Sequence, residues 1–236
     1  MNLILTETDQ VIEHTNLRDV FLPIREDVIK YNWLISDYEV YDSEIFNGNI
    51  RWFTGEELLN ITDNNDIQFI WGVISAFDKS FKMDLNNIST IPVSYEHKTL
   101  WSDIPRIQHP DSCIEIVCID SSSTILLSND KVISSKYKIH YTDAKNLDEQ
   151  NRLGNRQKRY VQSIVDEYFQ INGIDKDNMI YISNGYLYDL KLDYNILIAN
   201  LRHVLFESDF LRVPEEKDTD EIFRMLKISI KRSVEL

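Results

Sequence analysis

An α+β fold, with a largely antiparallel sheet in the first two thirds and a helix-rich part packed on it, is predicted by three features of this 236-residue chain. Between residues 31 and 128, apolar and aromatic residues come in short runs of strand character, some alternating with a period of two. From residue 147 onward they recur with a period of 3.6. Asn184-Gly185, set between two apolar runs, is the sequence of a tight hairpin. Residues 31–128 should supply most of the sheet, and 147–171, 193–207 and 219–232 should be helical. The chain then divides into an acidic region, 1–145, and a helix-rich region, 146–236, continuous with it as one compact unit.

Taken in order, residues 2–6 form a short strand. Leu17 to Lys30 reads as an irregular helix broken or started at Pro23, which lacks the amide hydrogen a helix interior needs. Residues 31–41, rich in aromatic and β-branched side chains, favour a strand. Thr54-Gly55-Glu56-Glu57 matches a capping box and starts a helix through Leu58 and Leu59. Ile67 to Phe77 is apolar on both alternating faces, the mark of a central strand. Asn86 to Pro110 is polar, with prolines, and reads as an exposed excursion. Cys113–Ile119 and Thr124–Ser128 make a hairpin across Asp120-Ser121-Ser122-Ser123. Lys131 to Tyr141 fits a strand or a short helix, and periodicity does not separate them.

The later elements are plainer. Tyr160, Val161, Ile164, Val165, Tyr168 and Phe169 line one face of a helix that Asn172-Gly173 ends. Residues 179–183 and 186–190 flank the Asn-Gly turn. Asp193 caps a helix through Leu205, Pro214 interrupts the chain, and Thr219 opens the last helix.

Charge narrows the function. Residues 1–150 carry 25 acidic against 12 basic side chains, net −13, whereas residues 151–236 carry 14 against 13. The acidic half also holds all four tryptophans. Such a surface repels nucleic acid and anionic lipid and attracts a basic protein, at a rate that falls as salt rises. The basic cluster Arg152, Arg156, Lys158 and Arg159 is a small footprint beside it and reads as pairing with acidic residues or facing solvent. Nothing at the N-terminus resembles a signal peptide, and no stretch approaches the roughly 20 apolar residues of a membrane span. A cytoplasmic location is expected. Cys113 and Cys118 lie five apart in one strand, an odd spacing that sends them to opposite faces and argues against a disulfide.

Catalytic signatures are few. Ser121, Ser122, Ser123 and Thr124 lack the glycines of a nucleophile elbow, and no phosphate-binding glycine loop occurs. Glu96, His97, Asp103, His109 and Asp111 form the one dense polar cluster. Imidazole and carboxylate are adequate ligands for a hydrolytic metal, but the spacings match no ligand pattern, and a solvated loop is the expectation. No catalytic residue, cofactor or metal is therefore assigned.

Recognition is better served. Asp37, Glu39, Asp42 and Glu44 interleave with Tyr38, Tyr41 and Phe46; Glu56 and Glu57 follow Trp52 and Phe53; Asp63 and Asp66 precede Trp71. Aromatic anchors in a charged setting describe many protein interfaces. Asp37, Glu39, Tyr41, Asp42, Glu44, Phe53, Glu56, Glu57, Asp63 and Asp66 are the candidate partner-binding residues. The competing expectation is that Trp52 and Trp71 are core and the carboxylates confer solubility.

Trp33-Leu34-Ile35-Ser36-Asp37, Trp52-Phe53-Thr54-Gly55-Glu56-Glu57-Leu58, Phe69-Ile70-Trp71-Gly72-Val73 and Asp120-Ser121-Ser122-Ser123-Thr124 together resemble bacterial immunity-type proteins of polymorphic toxin systems. The resemblance covers about residues 30–145. It implies a non-enzymatic cytoplasmic inhibitor that plugs the active site of a cognate toxin, and it carries over no catalytic residue. A metal-dependent hydrolase built on the 96–111 cluster and an adaptor subunit of a bacterial defence complex are the alternatives.

Overall fold

In the computed structural model, which describes residues 1–41, 45–94, 97–207 and 211–232, seven strands pair into one antiparallel sheet. They are β1 (Leu3–Thr6), β2 (Tyr31–Val40), β3 (Ile50–Thr54), β4 (Phe69–Asp78), β5 (Ile114–Ile119), β6 (Ser123–Ser128) and β7 (Lys145–Asn146), in the order β3-β2-β4-β5-β6-β1-β7. These strands belong to the first of two units, Met1–Asn151; the second is Arg152–Leu236.

Both faces of this sheet are covered, as the apolar character of β4 on its two sides requires. Against one face lie α1 (Leu17–Phe21), α2 (Arg25–Val28), α3 (Gly55–Asn64) and α4 (Lys131–His140). Leu17, Val20, Phe21, Ile24, Val28, Leu58, Ile133 and Tyr137 from this layer pack with Trp33, Ile35, Ile74, Ile116 and Leu126 of the sheet. Pro23 sits in a 3-10 turn that joins α1 to α2, so the interrupted helix over 17–30 has its physical cause in that ring. The Thr54 capping box forms as written: its hydroxyl accepts from the Glu57 amide while a Glu57 carboxylate oxygen accepts from the Thr54 amide.

The opposite face carries Ile4, Val73, Val117, Ile125 and Leu127. Here the expectation of an exposed polar excursion over 86–110 needs correction. Leu100 is fully buried, Ile107 packs against the same cluster, and Ser94 and His109 are buried as well. The segment is held in place by side chains of the sheet and of the helix that begins at Leu147, which bond to its backbone. The Glu115 carboxylate accepts the amides of Gln108 (2.8 Å) and His109 (3.0 Å). Ser36 Oγ donates to the Pro92 carbonyl at 2.7 Å, and Asn151 Nδ2 donates to the carbonyls of Leu100 (2.7 Å) and Ser102 (2.9 Å). Buried amides and carbonyls must find partners, and here side chains supply them.

Two elements that the sequence pattern left open or did not mark are defined here. Lys131–His140 is a helix, started by Asp130, whose carboxylate accepts the Val132 amide at 2.8 Å. Ile50–Thr54 is an edge strand paired with β2 alone among the described residues.

In the second unit, α5 (Leu147–Ile171, which begins in the first unit), α6 (Tyr194–Phe206) and α7 (Lys217–Ser229) accompany a small sheet, β10-β8-β9. Its strands are β8 (Met179–Ser183), β9 (Tyr186–Asp189) and β10 (Ile230–Arg232), the last lying where the sequence pattern predicts helix. Val161, Val165, Phe169, Tyr181, Leu197, Leu201, Phe206, Ile222 and Leu226 form its core. Beside them Arg212 makes a two-pronged pair with the nearly buried Asp218, at 3.0 and 3.1 Å. Burial pushes the Asp218 carboxyl up, but the Arg212 pair outweighs it and leaves it below its ordinary value.

Candidate protein-binding surface

The candidate surface begins at an irregularity in β2. Tyr31 to Ser36 pair residue for residue with Asp78 to Val73, and then the register slips to Glu39 opposite Trp71 and Val40 opposite Phe69. Asp37 and Tyr38 thus face Gly72 alone, a bulge. Asp37 adopts a φ of +45°, a left-handed conformation that aspartate tolerates better than most residues. Gly72 is required: a Cβ there would lie 2.6 Å from the Phe69 ring and 2.9 Å from the Tyr38 Cβ.

The bulge aims side chains toward one end of the sheet. Asp37 Oδ2 accepts both the amide (2.6 Å) and the hydroxyl (2.8 Å) of Ser94, drawing the excursion to β2. From the other side comes the β5–β6 turn, where Asp120 and Ser121 have φ of +49° and +54°. The Ser121 amide donates to the Ile70 carbonyl at 2.8 Å, which pins the turn to β4 next to Trp71. Between these parts lies a cavity of about 390 Å³, lined by Trp71, Ser94, Cys118, Ile119 and Asp120. Cys118 lies fully buried behind the cavity and stays neutral, since burial pushes its thiol up to about 12. Trp71 is 40% exposed and Tyr41 52% exposed. Glu39 and Asp120 are exposed, and among the described residues nothing pairs with either carboxylate.

The ten residues singled out from the sequence are not one patch. Asp37, Glu39 and Tyr41 gather at the bulged end of the sheet. Phe53 is half-buried, packs on the main core and meets the Phe46 ring edge-on at 6.1 Å. Glu56 pairs with Lys79 (2.7 Å) and Asp63 with Arg25 (2.5 Å), contacts that hold both carboxyls below their ordinary values. Glu57 is occupied by the capping box, and Asp66 accepts from Asn16 Nδ2 at 2.7 Å. Asp42 and Glu44 lie outside the described residues. Trp52 is half-buried against Phe77 and Phe81, and Trp33 is wholly buried. Trp71, one of the aromatics the sequence sets beside carboxylates but not one of the ten, completes the surface together with Ser94 and Asp120, which the sequence did not mark for it. Gly72 is the signal that points to them, because a lone glycine in a strand marks a bulge or a close backbone approach.

The 96–111 cluster does not converge. His109 is 3% exposed, with its ring edge-on to Phe77 at 4.8 Å and its Nδ1 accepting the Asp111 amide at 3.2 Å. Burial lowers its pKa. His97 Nδ1 lies 2.6 Å from the Thr99 hydroxyl, and Glu96 is outside the described residues. Among the described residues no three His, Cys, Asp or Glu side chains are grouped to hold a metal ion. Nor is any described helix long and apolar enough to cross a membrane.

No protein-family model, curated protein or solved structure is similar enough to this chain to count as a match.

Proposed function

We propose that this protein is a non-enzymatic, cytoplasmic inhibitor of the immunity type, which neutralises a basic bacterial toxin by binding it. The bulged end of the sheet is the binding surface. The observation that carries this reading is the pairing of exposed aromatic rings with unpaired carboxylates there. Trp71 and Tyr41 stand beside Glu39 and Asp120, in a unit whose sequence is strongly acidic. Exposed aromatics supply desolvated contact area at the centre of an interface, and rim carboxylates steer a basic partner toward it. Glu56, Glu57 and Asp63 have internal partners already, so they act through the long-range field.

The test has two steps. The protein, immobilised, is used to capture its partner at low salt, and the partner is identified by mass spectrometry and purified. Its binding kinetics and its own activity are then measured with wild-type protein, Glu39→Lys and Asp120→Lys. The expected association rate exceeds the neutral range of about 10⁵–10⁶ M⁻¹s⁻¹ at low salt, falls with salt, and falls in both variants. The partner's activity should be lost on binding. A partner that binds and stays active contradicts inhibition, and a rate indifferent to salt and to both charge reversals contradicts the surface.

A further inference from the structure

Resting on that reading, we infer that the cavity beside Trp71 is an anchor pocket for one arginine side chain of the basic partner. The walls and rim differ in chemistry in the way such a side chain requires. Trp71 and Ile119 provide apolar surface, with the fully buried Cys118 behind them, and Asp120 lines the same cavity with a carboxylate. Glu39 adds a second carboxylate, directly across the β2–β4 pair from Trp71. An arginine stem packs on apolar walls while its planar guanidinium stacks on an indole and meets a carboxylate with two parallel hydrogen bonds. Lysine offers neither the plane nor the fork, and it is more strongly hydrated, so arginine is the better occupant.

The pocket is also built to keep its shape. Ser94 donates to the Asp37 carboxylate from both its amide and its hydroxyl, and the Ser121 amide of the Asp120–Ser121 turn donates to the Ile70 carbonyl. Gly72 lets Phe69 and Tyr38 close up beneath the strand. The backbone that frames the pocket is then fixed before binding, which favours affinity. An interface that centres on a buried arginine also fits the enrichment of arginine among the residues that dominate binding energy.

The test uses a blocked hexa-arginine peptide and its citrulline counterpart, which keeps the planar group and loses the charge. Binding to the full-length protein is measured at about 50 and 500 mM salt, over which screening shortens by several ångström. In parallel, the Trp71 indole N–H resonance, assigned by its absence in Trp71→Phe, is followed through the titration. The remaining indole resonances report that each variant is folded. The expected result is salt-dependent binding of the arginine peptide with movement of the Trp71 resonance. Binding should be weaker by threefold or more in Asp120→Asn and in Trp71→Phe, and the citrulline peptide should leave Trp71 unmoved. If the arginine peptide binds with salt dependence while Trp71 stays still and both variants bind as wild type, the pocket is refuted and the acidic surface survives. If citrulline moves Trp71 equally, charge is not what the pocket selects and the inference falls. If the arginine peptide does not bind at low salt, the attraction for basic chains fails, and the pocket with it.

Discussion

Glu115→Gln should destabilise the first unit, even though it changes one atom and almost no volume. Glu115 is fully buried in β5, and its two carboxylate oxygens accept separate amides, Oε2 from Gln108 and Oε1 from His109. A glutamine has one acceptor oxygen, so one of those amides would face an NH₂ group, donor against donor. Leaving a buried donor unsatisfied costs about 1–3 kcal/mol. Urea unfolding followed by tryptophan fluorescence isolates the effect, because all four tryptophans lie in residues 1–151. With a urea slope of about 2 kcal/mol per molar, the midpoint should fall by roughly 0.5–1.5 M. The pH dependence carries a sign. Burial raises the Glu115 carboxyl above its ordinary value, and the two amides only partly offset this. The folded protein therefore keeps this proton where the unfolded chain, with a pKa of about 4.3, has lost it. Its contribution to stability falls as pH rises from there through the folded value. Glutamine does not titrate, so the gap between wild type and variant should be widest near pH 4 and narrow toward neutrality. A variant as stable as wild type, or a gap that widens with pH, would refute the reasoning.

Three further substitutions probe the rest of the architecture. Gly72→Ala places a methyl group 2.6 Å from the Phe69 ring and should cost about 1–3 kcal/mol by overpacking in the same urea assay, with changed resonances at Trp71. Leu100→Ala, in the excursion, should cost about 2–5 kcal/mol if that segment is a true layer of the fold, and close to nothing if it is a solvated loop. Arg212→Ala strands the buried Asp218 and should destabilise the second unit by about 3–5 kcal/mol, read by amide hydrogen exchange in α6 and α7. Because the Asp218 carboxyl lies below its ordinary value, the Arg212 contribution is present at neutral pH. It should fade as pH drops below about 4, through the unfolded and then the folded value.

The parts of the fold that were legible are those whose pattern is local. The capping box at Thr54, the hairpins at Asp120 and Asn184, and the apolar stripe of α5 each depend on residues within a turn or two of each other. What was not legible depends on partners far along the chain. Ile50–Thr54 is a strand only because β2 lies beside it, and no alternation of its own announces it. Residues 230–232 continue a helical pattern yet pair with β8, where tertiary contact overrides periodicity. The polar excursion belongs to the fold because acceptors such as the buried Glu115 and the half-buried Asp37 wait for its amides, and composition alone does not reveal them. The surface was half visible for the same reason. Glu39 and Tyr41 could be picked out as acidic and aromatic neighbours. Asp120 and Ser94 reach Trp71 only through a turn, a bulge and a side-chain clamp.

The most direct test of the proposed function is the association rate of the purified partner with wild-type protein and with the Glu39→Lys, Asp120→Lys double variant, from about 50 to 500 mM salt. The wild-type rate should start high and fall steeply with salt, and the double variant should be slower and much less salt-sensitive. Two overlapping, flat salt profiles would contradict an acidic surface that captures a basic protein.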